Sequence, residues 1–231
     1  MTARATVVAV DGGAGSGKSS VSRGVADELH LRFLDTGAMY RAVTWWMLHH
    51  DVDPDDATAV AAAAEEAAAA VTIDTDPSTR HVLVAGVDVT EAIRTPEVTA
   101  GVSAVSAVPA VRRRLVDAQR QAVAQARADG VGIVVEGRDI GTVVLPDADL
   151  KIFLTADPQV RAQRRAAEDA DRGHQADVAT TAAKLAARDA ADSSRAAGPL
   201  AQAGDAVVVD GTYDDLPTVI GRVVELVEGV G

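Results

Sequence analysis

The residues Gly12, Gly13, Ala14, Gly15, Ser16, Gly17, Lys18 and Ser19 have the spacing G-x-x-x-x-G-K-[ST]. Glycines at those places let successive backbone N–H groups turn inward around the phosphates of a nucleotide. The lysine then reaches the β and γ oxygens, and the serine hydroxyl is placed for Mg²⁺. A β-branched apolar run, 6–10, precedes the motif, and Val21, Val25 and Leu29 follow it at helical spacing. That strand, loop and helix order is what phosphate binding at a helix N-terminus requires.

Further along lie other groups able to handle phosphate and metal. In LDTGAMYR, Asp35 can join an Mg²⁺ shell through water, Thr36 and Tyr40 can contact a second ligand, and Arg41 can clamp a phosphate. A turn leading into an amphipathic helix accounts for Gly37 and Ala38 without any ligand. In VVEGRDIGT, apolar residues close on Glu136 at the position from which such proteins organise Mg²⁺, and Glu136 is read as an acid that supports the metal from behind. Arg138 and Asp139 stand next to each other there, so a salt bridge between them is the simpler alternative. Arg161, Arg164 and Arg165 share a helical face, as do Arg188, Asp192 and Arg195 at i, i+4 and i+7. Two positive stripes of this kind can close over a transferring phosphoryl group, with solvated ion-paired helices as the alternative.

Positioning these groups requires an α/β frame. Five β-rich segments, 6–10, 32–34, 132–135, 150–154 and 206–209, alternate with helical stretches, which predicts a doubly wound parallel sheet covered on both faces. Residues 1–231 are expected to form a single unit with one core and an appended subdomain. The stretch 71–89 breaks the rhythm with short alternating runs around Asp76-Pro77-Ser78 and Ala85-Gly86, and predicts a small antiparallel sheet in an insert spanning about 60–105. The polar run 168–177 between the arginine-bearing helices predicts a lid within 157–195. The alanine-rich run 57–70 is read as a good helix former on a solvated face.

Composition narrows the partners. A net charge of −12 opposes binding to a nucleic-acid backbone, so anionic ligands must be held by local arginines. The chain has no cysteine, no signal-peptide pattern and no apolar run long enough for a bilayer, which favours the cytoplasm and excludes a membrane partner. It also contains no asparagine, so the Asn-Lys-x-Asp run by which GTPases read guanine is missing. A kinase acting on a hydroxyl acceptor such as shikimate, and a nucleotide-dependent switch, remain open at this point.

The segments GGAGSGKSS, LDTGAMYR, EAIRTPEVTAGVSAVSAVPAVRRRL, VVEGRDIGTVVLPDADLKIFL and ARDAADSSRAAGPL, in this order, closely resemble the bacterial cytidylate kinases over nearly the whole chain. The run GRDIGTVVLPDADLKIFL separates them from adenylate, guanylate and thymidylate kinases. The resemblance implies a five-stranded parallel core, an inserted nucleoside-monophosphate-binding subdomain, a short lid and a monomer. It implies ATP and CMP or dCMP as substrates, with Mg²⁺. It extends the ATP loop to Ser20, so that the loop runs from Gly12 to Ser20. Thr36, Tyr40, Arg41, Arg138 and Arg195 are placed around the CMP phosphate, Arg188 and Asp192 near the sugar, and Ser103, Arg112 and Asp139 around cytosine. Lys18, Arg138, Arg161 and Arg188 become the charges that stabilise transfer, and Ser19 and Asp35 the metal-side groups. Family members also occur with Ser in place of Thr36 or Asp in place of Glu136, and with more charge between 188 and 195. Cytosine offers the N4 donor beside the N3 and O2 acceptors, which a carboxylate and an arginine complement. Uracil opposes both, leaving buried polar groups unpaired at about 1–3 kcal/mol each.

Overall fold

The apolar run at the amino terminus forms β1 (Val7–Gly12), all of it buried. The computed structural model describes residues 5–79, 81–171 and 177–230. After β1 come α1 (Lys18–Glu28), β2 (Arg32–Asp35), α2 (Thr36–His49), α3 (Ala57–Ala69), β3 (Val71–Ile73), β4 (Val82–Val84) and β5 (Val87–Asp88). They are followed by α4 (Pro96–Ala107), α5 (Pro109–Ala128), β6 (Ile133–Glu136), β7 (Leu150–Thr155), α6 (Pro158–Asp171), α7 (Val178–Ser194), β8 (Val207–Asp210) and α8 (Leu216–Glu228).

The main sheet has five parallel strands in the order β2-β6-β1-β7-β8. Each expected strand is present within two residues of its predicted bounds. Alternation along β1 divides its side chains between two cores. Val7 and Ala9, with Ile133 and Val135 of β6, join α2, α3 and α5 on one face. Val8 and Val10, with Val134 and the inward side of β7, join α1 and α8 on the other. Because the strands run parallel, their carboxyl ends share one edge, and residues 12–19, 35–41 and 137–139 leave the sheet there.

Outside that sheet, β3, β4 and β5 form the small antiparallel sheet expected at 71–89, with Ala85-Gly86 as the two-residue turn between its last two strands. Helix α3 differs from its reading as a solvated helix. Val60, Ala64 and Ala67 are fully buried in the main core, because alanine's small side chain lets α3 press closely against its neighbours. Among the described residues no helix is long and apolar enough to cross a membrane. Of the run expected to be a lid loop, residues 172–176 lie outside the described residues.

A buried acid ties the site's floor to the sheet. Asp11, near the end of β1, accepts from the backbone N–H groups of Ile140 and Gly141, each at 2.8 Å. This clamps the turn after Arg138 and Asp139 onto the strand that leads into the phosphate loop. Burial pushes its carboxyl up from 3.8 to about 6, against those two N–H groups, which lower it. The folded chain therefore holds this proton more tightly than the unfolded chain. Asp11 contributes stability that is full below about pH 4 and is lost as the pH rises through about 6. Asp11→Asn is expected to flatten the denaturant midpoint across that window and to cost about 1–3 kcal/mol at pH 7 by stranding one N–H. An unchanged pH profile would contradict this.

Candidate active site

The phosphate loop is shaped by glycines where side chains cannot go. Gly12 (φ 152°) passes so near the Leu154 carbonyl that a Cβ would collide with it, and Gly17 (φ 87°) turns the chain through left-handed backbone into α1. Lys18 opens the helix, and its Nζ donates to the Gly13 carbonyl at 2.8 Å. Burial, and then the nearby Arg138, lower its pKa from 10.5 to about 8. Glu136 and Asp11 oppose that shift without cancelling it.

Beside it is an acidic corner set by strand register. β2 and β6 pair Asp35 with Glu136, bringing the two carboxylates side by side at the sheet edge. Glu136 Oε1 accepts from the Ser19 hydroxyl at 2.6 Å, while its Oε2 is buried without a partner. Burial first and Asp35 second push the Glu136 carboxyl up from 4.5 to about 8. Asp35 also caps α2, accepting from Ala38 N–H at 2.8 Å, and the Thr36 hydroxyl donates to the Glu136 carbonyl at 2.7 Å. Two carboxylates and a hydroxyl, with one buried oxygen unpartnered, fit a hard divalent cation that keeps waters and takes the rest of its ligands from phosphates. Among the described residues there is no cluster of three or more His, Cys, Asp or Glu that could hold a metal alone. The contact with Ser19 is the one an acid supporting a metal-side hydroxyl from behind would make.

The arginines converge from α2, α5, α6, α7 and the turn after β6. Arg138 and Asp139 do not pair with each other. Arg138 Nη1 donates to the Gly12 carbonyl at 3.1 Å, and its guanidinium meets Asp189 at 3.3 Å and Asp192 at 3.2 Å. Asp139 instead forms a buried ion pair with Arg112 of α5, and Arg195 stands 3.8 Å from its other oxygen. Arg112 lies 5.9 Å from the Tyr40 ring centre, and its Nη1 is buried without a partner. Arg195 also donates to the Gly198 carbonyl at 2.6 Å and to the Ser106 hydroxyl at 3.4 Å, and approaches Asp192 at 3.6 Å. Ser103 lies half-buried one turn before Ser106, whose hydroxyl donates to the Ser103 carbonyl.

Two further cations face this group. Arg41 donates to the Thr99 hydroxyl at 2.9 Å, and burial followed by Arg188 lowers its pKa to about 9. Burial and then Arg138 lower that of Arg188 to about 10, and its Nε is buried without a partner. The first stripe is divided. Arg161 Nη1 donates to the Ala14 carbonyl at 3.0 Å and pairs with Asp189. Arg164 turns away, donating to the Gly211 carbonyl at 2.7 Å, and Arg165 pairs with Asp169 at 2.9 Å, the i, i+4 alternative. Arg165 still lies near enough to Arg41 and Arg188 to lower both, so of the three only Arg164 turns away from the cluster.

Sequence reasoning missed Asp11 and Asp189. An acid inside an otherwise apolar buried strand was a usable signal for Asp11. Asp189 lies one residue off the stripe 188, 192 and 195, and nothing in its spacing points to the phosphate loop that it touches.

The sequence of residues 8–229 matches the family model described as cytidylate kinase. The chain is 57% identical over 227 residues to the cytidylate kinase of Streptomyces coelicolor, covering 98% of this chain and 94% of that one. It is 50% identical over 237 residues to the cytidylate kinase of Rhodococcus opacus, covering all of both. Among solved structures, an uncharacterized protein from Eubacterium ventriosum shares the fold, with a TM-score of 0.54 at 12% identity, covering 97% of this chain and 99% of that one.

The Arg112–Asp139 pair has a consequence for stability. Asp139→Ala leaves Arg112 and, in part, Arg195 as buried uncompensated charge, and is expected to cost about 3–5 kcal/mol in urea unfolding. Replacing Arg112 and Asp139 together by leucine and alanine should cost less than the single change. A loss below about 1 kcal/mol for Asp139→Ala would show that water already screens the pair.

Proposed function

The chain belongs to the cytidylate kinase family and phosphorylates CMP or dCMP with ATP, and we propose that the crevice at the carboxyl ends of β1, β2 and β6 carries out that transfer. One juxtaposition supports this reading most. The Asp139 carboxylate and the unpartnered Nη1 of Arg112 lie together, an acceptor beside a spare donor, at the strand edge from which the Gly12 to Ser20 loop also departs. That pair complements the N4 donor and the N3 and O2 acceptors of cytosine, with Ser103 on the adjoining helix.

In this reading the loop amides and Lys18 hold the β and γ phosphates of ATP. Arg41, Arg138 and Arg195, with Thr36 and Tyr40, hold the CMP phosphate, and Arg188 and Asp192 contact the sugar. An oxygen of the CMP phosphate attacks the γ phosphorus in line, the bond to the bridging oxygen breaks, and ADP leaves. No general base is required, because the attacking oxygen is already anionic. Lys18, Arg138, Arg161 and Arg188 stabilise the charge spread over the moving phosphoryl group. Ser19, Glu136 and Asp35 are the groups that would hold Mg²⁺, which when bound neutralises charge on the phosphate oxygens. We assign residues 60–105 to the monophosphate-binding insert and 157–195 to the lid. A net charge of −12 opposes binding to a nucleic-acid backbone, so the protein is read as acting on free nucleotides in the cytoplasm, without a membrane and, as the resemblance implies, as a monomer.

A coupled ADP-release assay across CMP, dCMP, UMP, AMP, GMP and shikimate tests the reading. Turnover should be confined largely to CMP and dCMP, and equal rates with AMP or shikimate would refute it. Lys18→Ala should lower kcat by about two to three orders of magnitude with the melting temperature kept. Asp139→Asn should reduce the ratio of kcat/KM for CMP over UMP by roughly tenfold, whereas Arg41→Ala should slow both substrates alike. An unchanged CMP to UMP ratio in Asp139→Asn would leave that carboxylate as a structural partner of Arg112 only.

A further inference from the structure

Asp189 stands where no assigned role puts it. It lies on α7, and its Oδ1 accepts from the backbone N–H of Ala14, inside the phosphate loop, at 2.8 Å. The same carboxylate pairs with Arg161 of α6 and lies 3.3 Å from Arg138, which follows β6. Contact with the loop is close. A Cβ built on Gly13 would lie 2.7 Å from Arg161 Nη1 and 2.9 Å from Asp189 Oδ2, and one on Gly15 would lie 3.3 Å from Leu185 of α7. Burial raises the Asp189 carboxyl, but the Ala14 N–H, Arg161 and Arg138 outweigh it and hold it below the usual carboxylate range. It is an anion, coordinated by a loop amide and two guanidinium groups, which is the coordination that suits a phosphate oxygen.

We infer that Asp189 is a positioning residue that fills the mouth of the phosphate loop as a stand-in anion in the nucleotide-free protein, aligning Arg138 and Arg161 and yielding its place to the triphosphate of ATP. The charge balance supports this. Arg188, close to Arg138, already has its pKa lowered by burial and by that arginine, so Arg138 and its neighbour Arg161 gain from a counter-charge before substrate arrives. A triphosphate bringing its own negative charge competes with the carboxylate for the same donors and repels it. The side chain that arranges the site thus opposes the first step of binding. The inference rests on the proposed assignment of the loop to ATP.

Titration calorimetry with ATP, together with kcat under saturation, tests it in the full-length protein. Asp189→Asn removes the charge while keeping an acceptor for Ala14 N–H, and Asp189→Ser removes the charge and shortens the reach. Each is expected to tighten ATP binding by roughly three- to tenfold and to lower kcat by roughly tenfold or more, because the competitor is gone and the two arginines lose their shared partner. Asp189→Glu, which keeps the charge, should bind ATP no more tightly than the wild type. Tighter binding in a slower enzyme is a result that simple damage to the fold would not produce. Unchanged or weaker ATP binding in a folded neutral variant, or an unchanged kcat, would overturn the inference. Wild-type protein that bound no ATP would instead refute the loop assignment on which it stands.

Discussion

Buried cations repelling one another across a small crevice are the interaction on which this site is built. Lys18, Arg41 and Arg188 all have pKa values lowered by burial and then by a neighbouring arginine, in a chain whose net charge is −12. Such a cluster is unfavourable unless anions are supplied, because desolvation removes the screening that water gives at the surface. The protein supplies some itself, through Asp139, Asp189 and Asp192, each shared between two or more arginines. The remainder of the deficit is what two phosphate-bearing substrates can fill. Under the proposed assignment, substrate binding and charge neutralisation are the same event.

The sheet makes this tolerable by holding the cations rigidly. Parallel pairing places the phosphate loop, Asp35 and Glu136 on one edge, and the Asp35–Glu136 register puts the acids beside Ser19 without any contribution from a loop. Asp11 fastens the turn carrying Arg138 and Asp139 to β1, the strand that leads into the loop. Helices α6 and α7 bring the other charges from outside the sheet, and Leu185 and Arg161 carry α7 and α6 onto the loop itself. Preorganised charge of this kind stabilises phosphoryl transfer without reorganising at the moment of reaction.

Much of this was legible in the residues, because the signals are local. Strand periodicity, the glycine spacing of the phosphate loop and the turn at Ala85-Gly86 are each decided within about ten residues, and the strands and the small sheet appear where expected. The motif residues Lys18, Arg112, Arg138, Asp139, Arg188 and Arg195 do converge. What could not be read is pairing between distant elements. Arg138 and Asp139 are neighbours in sequence yet turn to different partners, and Arg164 shares a helix with Arg161 yet turns to the Gly211 carbonyl after β8. Helical spacing names a face, but only packing decides which side chain on it meets a partner. The burial of Val60, Ala64 and Ala67 was missed for the same reason, since alanine looks alike on a wet face and in a tight helix contact.

The most direct test of the charge account compares melting temperatures of the ligand-free protein, the protein with CMP and the protein with cytidine at the same millimolar concentration. Ligand binding to the folded state raises stability with concentration over Kd. If the arginine cluster is strained for want of an anion, CMP must stabilise the protein strongly while cytidine, with the same base and sugar, stabilises it little. Equal stabilisation by CMP and cytidine would contradict the account, because the phosphate would then relieve nothing.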